Sequence, residues 1–219
     1  MSERRTAAEL AALRREYGDR GLDTPDLTSD PIEMFGRWFD DTVRAGLHEP
    51  NAMVVTTVSA QGRPTARIVL LKGVDERGFV FYTNYESQKG RDLEANPAVS
   101  LLFPWHDLQR QIRIDGHATR VSREESEAYF SARPRESQLG AWASPQSREV
   151  TSRSELDRLF VDVEQRFGDG DVPPPPPWGG YRVTPEVVEF WQGRRGRMHD
   201  RLVYRRGQGD HWNIARLAP

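Results

Sequence analysis

The spacing of apolar residues changes along the chain from helical to strand-like, and this change predicts the order of its elements. Asp30 and Pro31 form a favourable N-cap and first helical residue. Apolar residues at helical spacing follow them, which predicts a helix packed on a core. These residues are Phe35, Trp38, Phe39 and Val43. A shorter helical pattern runs from Thr6 to Tyr17 and is interrupted by the glycines that come next.

Five strand-like runs follow the helix, each rich in β-branched or aromatic residues and bounded by Gly, Pro, Asn or Asp. The runs are Met53–Val58, Thr65–Leu71, Phe79–Thr83, Val99–Phe103 and Gln111–Val121. The intervening segments Gln61–Pro64 and Asp75–Gly78 are short enough for hairpins. No long helical crossover separates the first three runs, so we expect a largely antiparallel sheet.

Two further helices are predicted after this sheet. Ser122 with Glu125, and Ser152 with Glu155, have the spacing of capping boxes. The second pair precedes apolar residues that share one helical face. This face consists of Leu156, Leu159, Phe160, Val163 and Phe167.

A proline-rich stretch divides the helices from the last strands. Residues 168–180 contain five consecutive prolines, Pro173–Pro177, which favour an extended polyproline II spacer over a docking site for a proline-binding module. Strands are predicted after it at Val187–Trp191, Leu202–Arg205 and Trp212–Leu217, with a hairpin turn at Gly207–Asp210. Because three strands alone would have little core, we attach them to the earlier sheet. The expected organisation is an N-terminal segment, residues 1–29, as a candidate mobile lid, and one domain over 30–219.

Composition narrows the function classes. The 219 residues are 37% hydrophobic, include six Trp, and carry a formal net charge of −2, so a core is feasible and nucleic acid is not an expected partner. The absence of cysteine excludes disulfides, thiolate metal sites and thiol nucleophiles. The histidines lack metal-ligand spacing, so no metal is expected. Without a signal-peptide pattern or a membrane-length apolar run, the sequence is typical of a soluble cytoplasmic protein.

Basic side chains, rather than a glycine-rich loop, are the candidates for binding phosphate. Neither a Gly-x-Gly-x-x-Gly motif nor a P-loop is present. Arg67 and Lys72 bracket an apolar strand, and Ser87 can cap a helix whose first turn contains Lys89. The alternative for each is an ordinary charged strand end or a solvated helix start.

Two other segments have the composition of an anion site. Tyr129, Arg133 and Ser137 would share a face if one helix continued through Pro134, although a proline disfavours helical geometry in the residue before it. The segment Trp191–Arg201 contains four arginines in the loop between two predicted strands. If it were a strand, alternation would place Arg197, His199 and Arg201 on one side. The alternative for the first segment is an exposed amphipathic helix, and the alternative for the second is a basic surface loop.

Taken together, these motifs resemble the pyridoxamine 5′-phosphate oxidase family. The resemblance extends over most of the chain and rests on several ordered motifs. They are Arg67–Lys72, Phe81–Asn84, Leu101–His106, Arg133–Gln138, Phe190–Gln192, Arg197–Arg201 and Arg216–Pro219. It implies a mainly β fold with flanking helices, an antiparallel split β-barrel that binds FMN between the subunits of a homodimer. The implied reaction oxidises pyridoxamine or pyridoxine 5′-phosphate to pyridoxal 5′-phosphate, with dioxygen as electron acceptor.

The resemblance also implies roles for individual residues. The flavin contacts would be Arg67, Ile68, Val69, Leu70, Leu71, Lys72, Tyr82, Thr83, Gln88, Lys89, Gln111, Gln146, Ser147, Trp191 and Arg201. The substrate contacts would be Arg14, Tyr17, Lys72, Tyr129, Arg133, Ser137, Arg197 and His199, of which Arg197 and His199 are the catalytic candidates. Gln88 departs from the family pattern, because many relatives carry arginine at this position.

Two competing functions remain open on the sequence. Another split-barrel flavin reductase would share the residues that bind the flavin phosphate but would not need Arg197 and His199, nor Tyr129, Arg133 and Ser137. A non-catalytic flavin- or pyridoxal-phosphate-binding protein would share both sets without turnover. An oxygen-uptake assay on pyridoxamine phosphate separates the three.

Overall fold

The fold is organised around one antiparallel sheet. The computed structural model describes residues 5–13, 16–209 and 211–219, and nine strands lie within these ranges. They are β1 (Ala52–Val58), β2 (Pro64–Leu70), β3 (Gly73–Asp75), β4 (Gly78–Asn84), β5 (Ala98–Trp105), β6 (Arg110–Arg120), β7 (Trp178–Gln192), β8 (Asp200–Arg206) and β9 (Trp212–Leu217). The strands pair in the order β2-β1-β5-β6-β7-β4-β3, with β8 between β7 and β9. All of these pairings are antiparallel, as the turn lengths predicted.

Strand β7 is the long element that joins the two parts of the sheet. It pairs with β6 along one edge from Tyr181 to Gln192. On its other edge the first half pairs with β4 and the second half pairs with β8. The C-terminal strands therefore belong to the same sheet as the N-terminal ones. Among the described residues the sheet is antiparallel and remains open rather than closed, as expected for the mainly β fold with flanking helices.

Helices flank this sheet. They are α1 (Ala7–Ala12), α2 (Pro31–Arg44), α3 (Gln88–Ala95), α4 (Arg123–Ser131), α5 (Arg135–Ala143) and α6 (Arg153–Phe167). The prediction for α2 is confirmed, because the Ile32 amide donates to Asp30 Oδ1 at 2.9 Å. Its apolar face packs on the sheet, with the ring of Phe35 5.1 Å from Phe103 and the ring of Trp38 5.2 Å from Phe190. This burial of aromatic surface fixes α2 against the core.

Several element boundaries differ from the sequence prediction. Strand β3 was not predicted, and α1 ends at Ala12 instead of continuing to Tyr17. Strand β7 starts at Trp178, so residues 178–180 of the predicted spacer belong to the sheet. The glycines that suggested a loop are there for packing, since a Cβ on Gly179 would lie 2.2 Å from the Tyr85 hydroxyl. The prolines before β7 are held in place, because the Trp142 indole donates to the Pro173 carbonyl at 2.7 Å.

Each of the two predicted capping boxes forms only one of its two hydrogen bonds, the one that the serine hydroxyl accepts. The Ser122 and Ser152 hydroxyls accept from the amides of Glu125 and Glu155 at 3.0 and 3.2 Å. The glutamate side chains bond elsewhere, however. Glu125 pairs with Arg182 at 2.9 Å, and Glu155 accepts from the Thr151 amide at 2.6 Å.

The helical conformation is interrupted at Pro134, between α4 and α5, so Tyr129, Arg133 and Ser137 do not lie on one continuous helix. The break follows from the missing proline amide and its steric effect on the preceding residue. Helices α4 and α5 pack on a second apolar cluster formed by Phe130, Leu139, Val172 and Trp178. Among the described residues, no helix is long and apolar enough to cross a membrane.

Candidate active site

A cavity of about 930 Å³ opens between β2, β4, the start of α3 and helices α4 and α5. Its lining includes four basic residues, Arg67, Lys72, Lys89 and Arg133, and no Asp or Glu among the described residues. The chain as a whole carries slightly more acidic than basic residues. A cavity with this local excess of positive charge suits an anionic ligand.

Lys89 is the most strongly perturbed cation in this cavity. Ser87 caps α3 by accepting from the Gly90 amide, which places Lys89 in the first turn with only 8% of its surface exposed. Its ammonium donates to Thr83 Oγ1 at 3.0 Å, Ser87 Oγ at 3.2 Å and Gln146 Oε1 at 3.2 Å. Burial, and secondarily the nearby charge of Arg67, lower the pKa of Lys89 to about 8. Within the part of the chain that the structure describes, these partners are all neutral and none is a carboxylate, so the positive charge of Lys89 is not balanced by a hydrogen-bonded acid and would attract an anion.

Arg67 is held on β2 by neighbouring threonines. Its guanidinium donates to Thr57 Oγ1 at 2.8 Å and to Thr65 Oγ1 at 2.6 Å. Both hydroxyls also donate to the buried carboxylate of Asp92, at 2.7 and 3.1 Å. Asp92 itself lies 4.0 Å from Arg67. The arrangement fixes the guanidinium beside the cavity while leaving it without a close carboxylate contact.

Aromatic side chains form the wall next to Arg133. The rings of Tyr82 and Tyr129 stack with centroids 4.0 Å apart, and the ring of Trp178 lies 5.4 Å from Tyr82 in a nearly parallel plane. The Arg133 guanidinium lies 5.0 Å from the Trp178 ring. Its Nη1 is buried and has no hydrogen-bond partner among the described residues. A buried donor without a partner is costly, which indicates that this atom binds a ligand.

A second cavity, of about 910 Å³, lies at the far end of β7 and shares no lining residue with the first. The ring of His199 lies 4.6 Å from Trp191 and 5.4 Å from Tyr17. His199 Nδ1 accepts from the Arg194 amide at 3.1 Å, so the proton of the neutral ring is on Nε2. Burial, with a smaller effect of Arg197, lowers the pKa of His199. The imidazole is therefore neutral at pH 7 and presents Nε2–H as a donor.

Backbone strain also concentrates at the two cavities. Ser147 lines the first cavity with φ of 69°, and Gln109 and Arg197 line the second with φ of 54° and 62°. Non-glycine residues in the left-handed region cost energy and cluster at functional sites. The positive φ of Arg197 also corrects a prediction: β8 starts only at Asp200, so Arg197, His199 and Arg201 do not alternate along one strand.

The structure divides the residues proposed from the sequence into three groups. The first cavity is lined by Arg67, Ile68, Val69, Leu70, Lys72, Tyr82, Thr83, Gln88, Lys89, Tyr129, Arg133, Ser137, Gln146 and Ser147. The second is lined by Tyr17, Gln111, Trp191, Arg197 and His199. Leu71 and Arg201 line neither, because Leu71 points into the core and Arg201 pairs with Glu189 at 2.7 Å. Arg14 lies outside the described residues.

Sequence reasoning missed several contributors to these cavities, among them Trp178 in the first and Gln109 and Arg194 in the second. Trp178 forms part of the aromatic wall but follows the prolines, so it was assigned to the spacer. Gln109 accepts from the Gly18 amide at 2.8 Å and thereby links the N-terminal segment to the second cavity. No local motif identifies Gln109, since its partner is 91 residues away.

Comparisons with known proteins agree over most of the chain. Residues 39–167 match the family described as pyridoxamine 5′-phosphate oxidase, and residues 178–219 match the pyridoxine 5′-phosphate oxidase C-terminal dimerisation region. The pyridoxine/pyridoxamine 5′-phosphate oxidase of Rubrobacter xylanophilus is 59% identical over 211 residues, which cover 96% of this chain and 97% of that protein.

Solved structures support the same assignment. PhzG from Burkholderia lata 383, in complex with tetrahydrophenazine-1-carboxylic acid, has a TM-score of 0.85 at 30% identity and covers 92% of this chain and 99% of its own. An FMN-binding protein from Nostoc punctiforme, related to pyridoxamine 5′-phosphate oxidase, has a TM-score of 0.70 at 17% identity and shows the shared fold. It covers 88% of this chain and 100% of its own. From the two domain matches and the full-length identity, the chain belongs to the pyridoxamine 5′-phosphate oxidase family.

Proposed function

We propose that this protein oxidises pyridoxamine 5′-phosphate and pyridoxine 5′-phosphate to pyridoxal 5′-phosphate, with FMN as cofactor. Dioxygen is the proposed electron acceptor, giving hydrogen peroxide, and ammonia is released from the amine. The observation that carries the proposal is the cavity lined, within the described ranges, by four cations and by no acid, in which the buried Arg133 Nη1 has no hydrogen-bond partner from those ranges. Four cations suit two phosphate groups, one on the cofactor and one on the substrate.

The residues present fit FMN. Arg67 and Lys89, with the donors of Thr83, Gln146 and Ser147, form a set that suits the terminal phosphate. Gln88 is exposed at the cavity and offers a neutral donor where many relatives have a cation. When bound, FMN supplies the two-electron acceptor for the substrate, so the chain needs no nucleophile of its own.

The substrate's phosphate is assigned to Lys72, Tyr129, Arg133 and Ser137, which combine two cations with two hydroxyls at one cavity. Arg133 is oriented by its position over the Trp178 ring, so its free Nη1 needs little rearrangement to bind. We assign His199 and Arg197, which line the second cavity, to the side of the substrate that faces away from the flavin. His199 holds a proton at Nε2, and the Arg194 amide fixes the ring orientation through Nδ1.

The two cavities are separate within one chain, so we infer that a homodimer joins them. The match to a dimerisation region at residues 178–219, which includes β8 and β9, supports this arrangement. The first cavity of one protomer would then face the second cavity of its partner. Each dimer would contain two complete sites related by symmetry.

Oxygen uptake by the FMN-loaded protein tests the reaction. We expect uptake with pyridoxamine 5′-phosphate and with pyridoxine 5′-phosphate, and formation of the aldehyde product. A flavin reductase would instead consume a reduced nicotinamide, and a binding protein would show no turnover. No oxygen uptake with either phosphate substrate, despite bound flavin, would refute the proposal.

Subunit mixing tests the shared site. Arg133→Ala and His199→Ala change different cavities, so at substrate concentrations well below KM each homodimer should lose most of its activity. Random exchange of the two impaired variants gives mixed dimers in about half the population, each with one intact site, and should restore about a quarter of wild-type activity under the same conditions. If both cavities of a site came from the same protomer, mixing would restore nothing.

A further inference from the structure

The N-terminal segment is anchored to the C-terminal strands at Thr28, whose carbonyl accepts from the Tyr204 hydroxyl at 2.8 Å, and, nearer to Tyr17, at the buried residue Leu22. Its amide donates to Asp200 Oδ2 at 3.0 Å, and its carbonyl accepts from Arg216 Nη2 at 3.2 Å. Arg216 Nη1 donates to Asp200 Oδ1 at 2.6 Å, which joins the two side chains. Asp200 and Arg216 thus hold both backbone polar groups of Leu22. We call this arrangement the Leu22 clamp.

The clamp lies at the start of β8, directly after His199. Asp200 also accepts a hydrogen bond from Arg194 Nη1 at 3.5 Å, and the backbone amide of Arg194 donates to His199 Nδ1. The same few residues therefore orient the imidazole and fix the N-terminal segment. A change at Asp200 can therefore affect His199 in the second cavity through two hydrogen bonds, one from Arg194 Nη1 to Asp200 and one from the Arg194 amide to His199.

Tyr17 is the residue that the clamp controls. Four residues lie between it and Leu22, so the five Cα–Cα steps of the linking chain can extend about 17 Å at most. In the structure its ring lies edge-on to Trp191, at 5.9 Å, and to His199, at 5.4 Å. The Gly18 amide bond to Gln109 at 2.8 Å helps to fix the same segment. Without the anchor at Leu22, these contacts and the largely exposed ion pairs of Asp19 with Arg195 and of Arg20 with Asp41 would have to order the segment.

The arms of the clamp differ in burial, which predicts their relative importance. The side chain of Asp200 is only 10% exposed, whereas that of Asp23, which accepts from Arg216 at 2.7 Å, is 72% exposed. Exposed ion pairs contribute little, whereas removing the partner of a buried charge is costly. The Asp200 arm should therefore dominate, and the Asp23 arm should be nearly dispensable.

We propose that Asp200 and Arg216 are positioning residues for the oxidation reaction: they anchor the N-terminal segment at Leu22 so that Tyr17 covers the substrate side of the site next to His199. The inference rests on the proposed function for its kinetic consequence. The anchoring itself does not depend on that function. Neither side chain has to touch the substrate or the flavin.

The variants Arg216→Met and Asp200→Asn test the clamp in the FMN-loaded protein. Each should raise KM for pyridoxamine 5′-phosphate by about tenfold, which corresponds to about 1.4 kcal/mol. Flavin affinity should stay close to wild type in both variants, and kcat at saturating substrate should stay close to wild type in Arg216→Met, which leaves the contact of Arg194 with Asp200 in place. Asp23→Asn should change KM by less than about twofold. Arg205→Met removes an exposed arginine from the adjacent strand β8 and is the matched control, with no expected effect.

Two measurements distinguish positioning from a general structural role. Hydrogen exchange at the Leu22 amide should accelerate in Arg216→Met while the amides of β6 keep their protection. Arg216→Lys keeps one charge but not the fork of donors, so it should restore only part of the wild-type KM. It also provides a second variant if Asp200→Asn does not fold.

A double-mutant cycle with Tyr17→Ala decides whether the clamp acts through Tyr17. If it does, Arg216→Met will raise KM by a smaller factor in the Tyr17→Ala background than in the wild type. An equal factor in both backgrounds would overturn the proposal, as would unchanged exchange at Leu22. Failure of the wild-type protein to oxidise the phosphate substrate would refute the proposed function, while the exchange measurement would still test the clamp.

Discussion

The low pKa of Lys89 leads to a quantitative prediction about flavin binding. With a pKa of about 8, its ammonium is about nine-tenths protonated at about pH 7 and about one-tenth protonated at about pH 9. The FMN phosphate is a dianion over this range and should bind the protonated form. The dissociation constant for FMN should then increase by about tenfold from about pH 7 to about pH 9, a loss of about 1.4 kcal/mol.

Titration of the apoprotein with FMN, followed by flavin fluorescence at each pH, measures this change. Tyr82, in the same cavity, does not interfere, because burial raises its pKa to about 12. The sign follows from linkage: the dianion stabilises the charged amine, so binding takes up a proton and weakens as the pH rises. Below the pKa of Lys89 the dependence should flatten.

Two controls isolate the contribution of Lys89. Riboflavin has the same ring system without the phosphate, so its affinity should lack this pH dependence. Lys89→Arg keeps its charge throughout the range and should bind FMN with a nearly flat profile. If riboflavin shows the same tenfold change, or if Lys89→Arg retains the wild-type slope, then Lys89 does not bind the phosphate in its charged form.

Three further predictions concern the substrate side and the assembly. Arg133→Ala should raise KM for pyridoxamine 5′-phosphate by about tenfold or more and leave KM for unphosphorylated pyridoxamine nearly unchanged; an equal loss on both substrates would contradict the phosphate assignment. Arg197→Ala and His199→Ala should lower kcat while flavin titrations remain like wild type, and parallel loss of flavin would exclude a substrate role. The purified protein should be a yellow dimer with two FMN, checked by light scattering and absorbance; a monomer that binds FMN fully would contradict a shared site.

The sequence predicts best those parts of the fold that depend on local patterns. The helix from Pro31 to Arg44 was predicted because its cap and its apolar face lie within one short segment. The hairpin between β1 and β2 was predicted for the same reason, since its turn is local. Strand β3 was missed because three residues are too few for a periodic pattern. The start of β7 was missed because Gly179 and Gly180 indicate a loop, whereas their real constraint is contact with Tyr85 and Tyr82.

For the candidate site, the sequence predicts the residues better than it predicts their surroundings. Basic residues and hydroxyls on β2, α3 and α4 could be proposed from the sequence, and the structure collects most of them in one cavity. Their environment could not be proposed, because it depends on distant partners. Thr57 and Asp92 hold Arg67 from other elements, and Gln109 binds the N-terminal segment across the fold. The sequence pattern also does not reveal that Arg201 pairs with Glu189 whereas His199 faces a cavity.

The first cavity is arranged for binding an anion at some expense of the stability of the free protein. Burial lowers the pKa of Arg67, Lys89 and Arg133, which means that the protein interior disfavours all three charges. An acidic residue near them would relieve that cost, and Asp92 does so only from 4.0 Å behind Arg67. A carboxylate within the cavity would compete with a phosphate for the same donors. The absence of Asp and Glu from the described lining therefore preserves binding capacity, and the anionic ligand itself supplies the missing counter-charge.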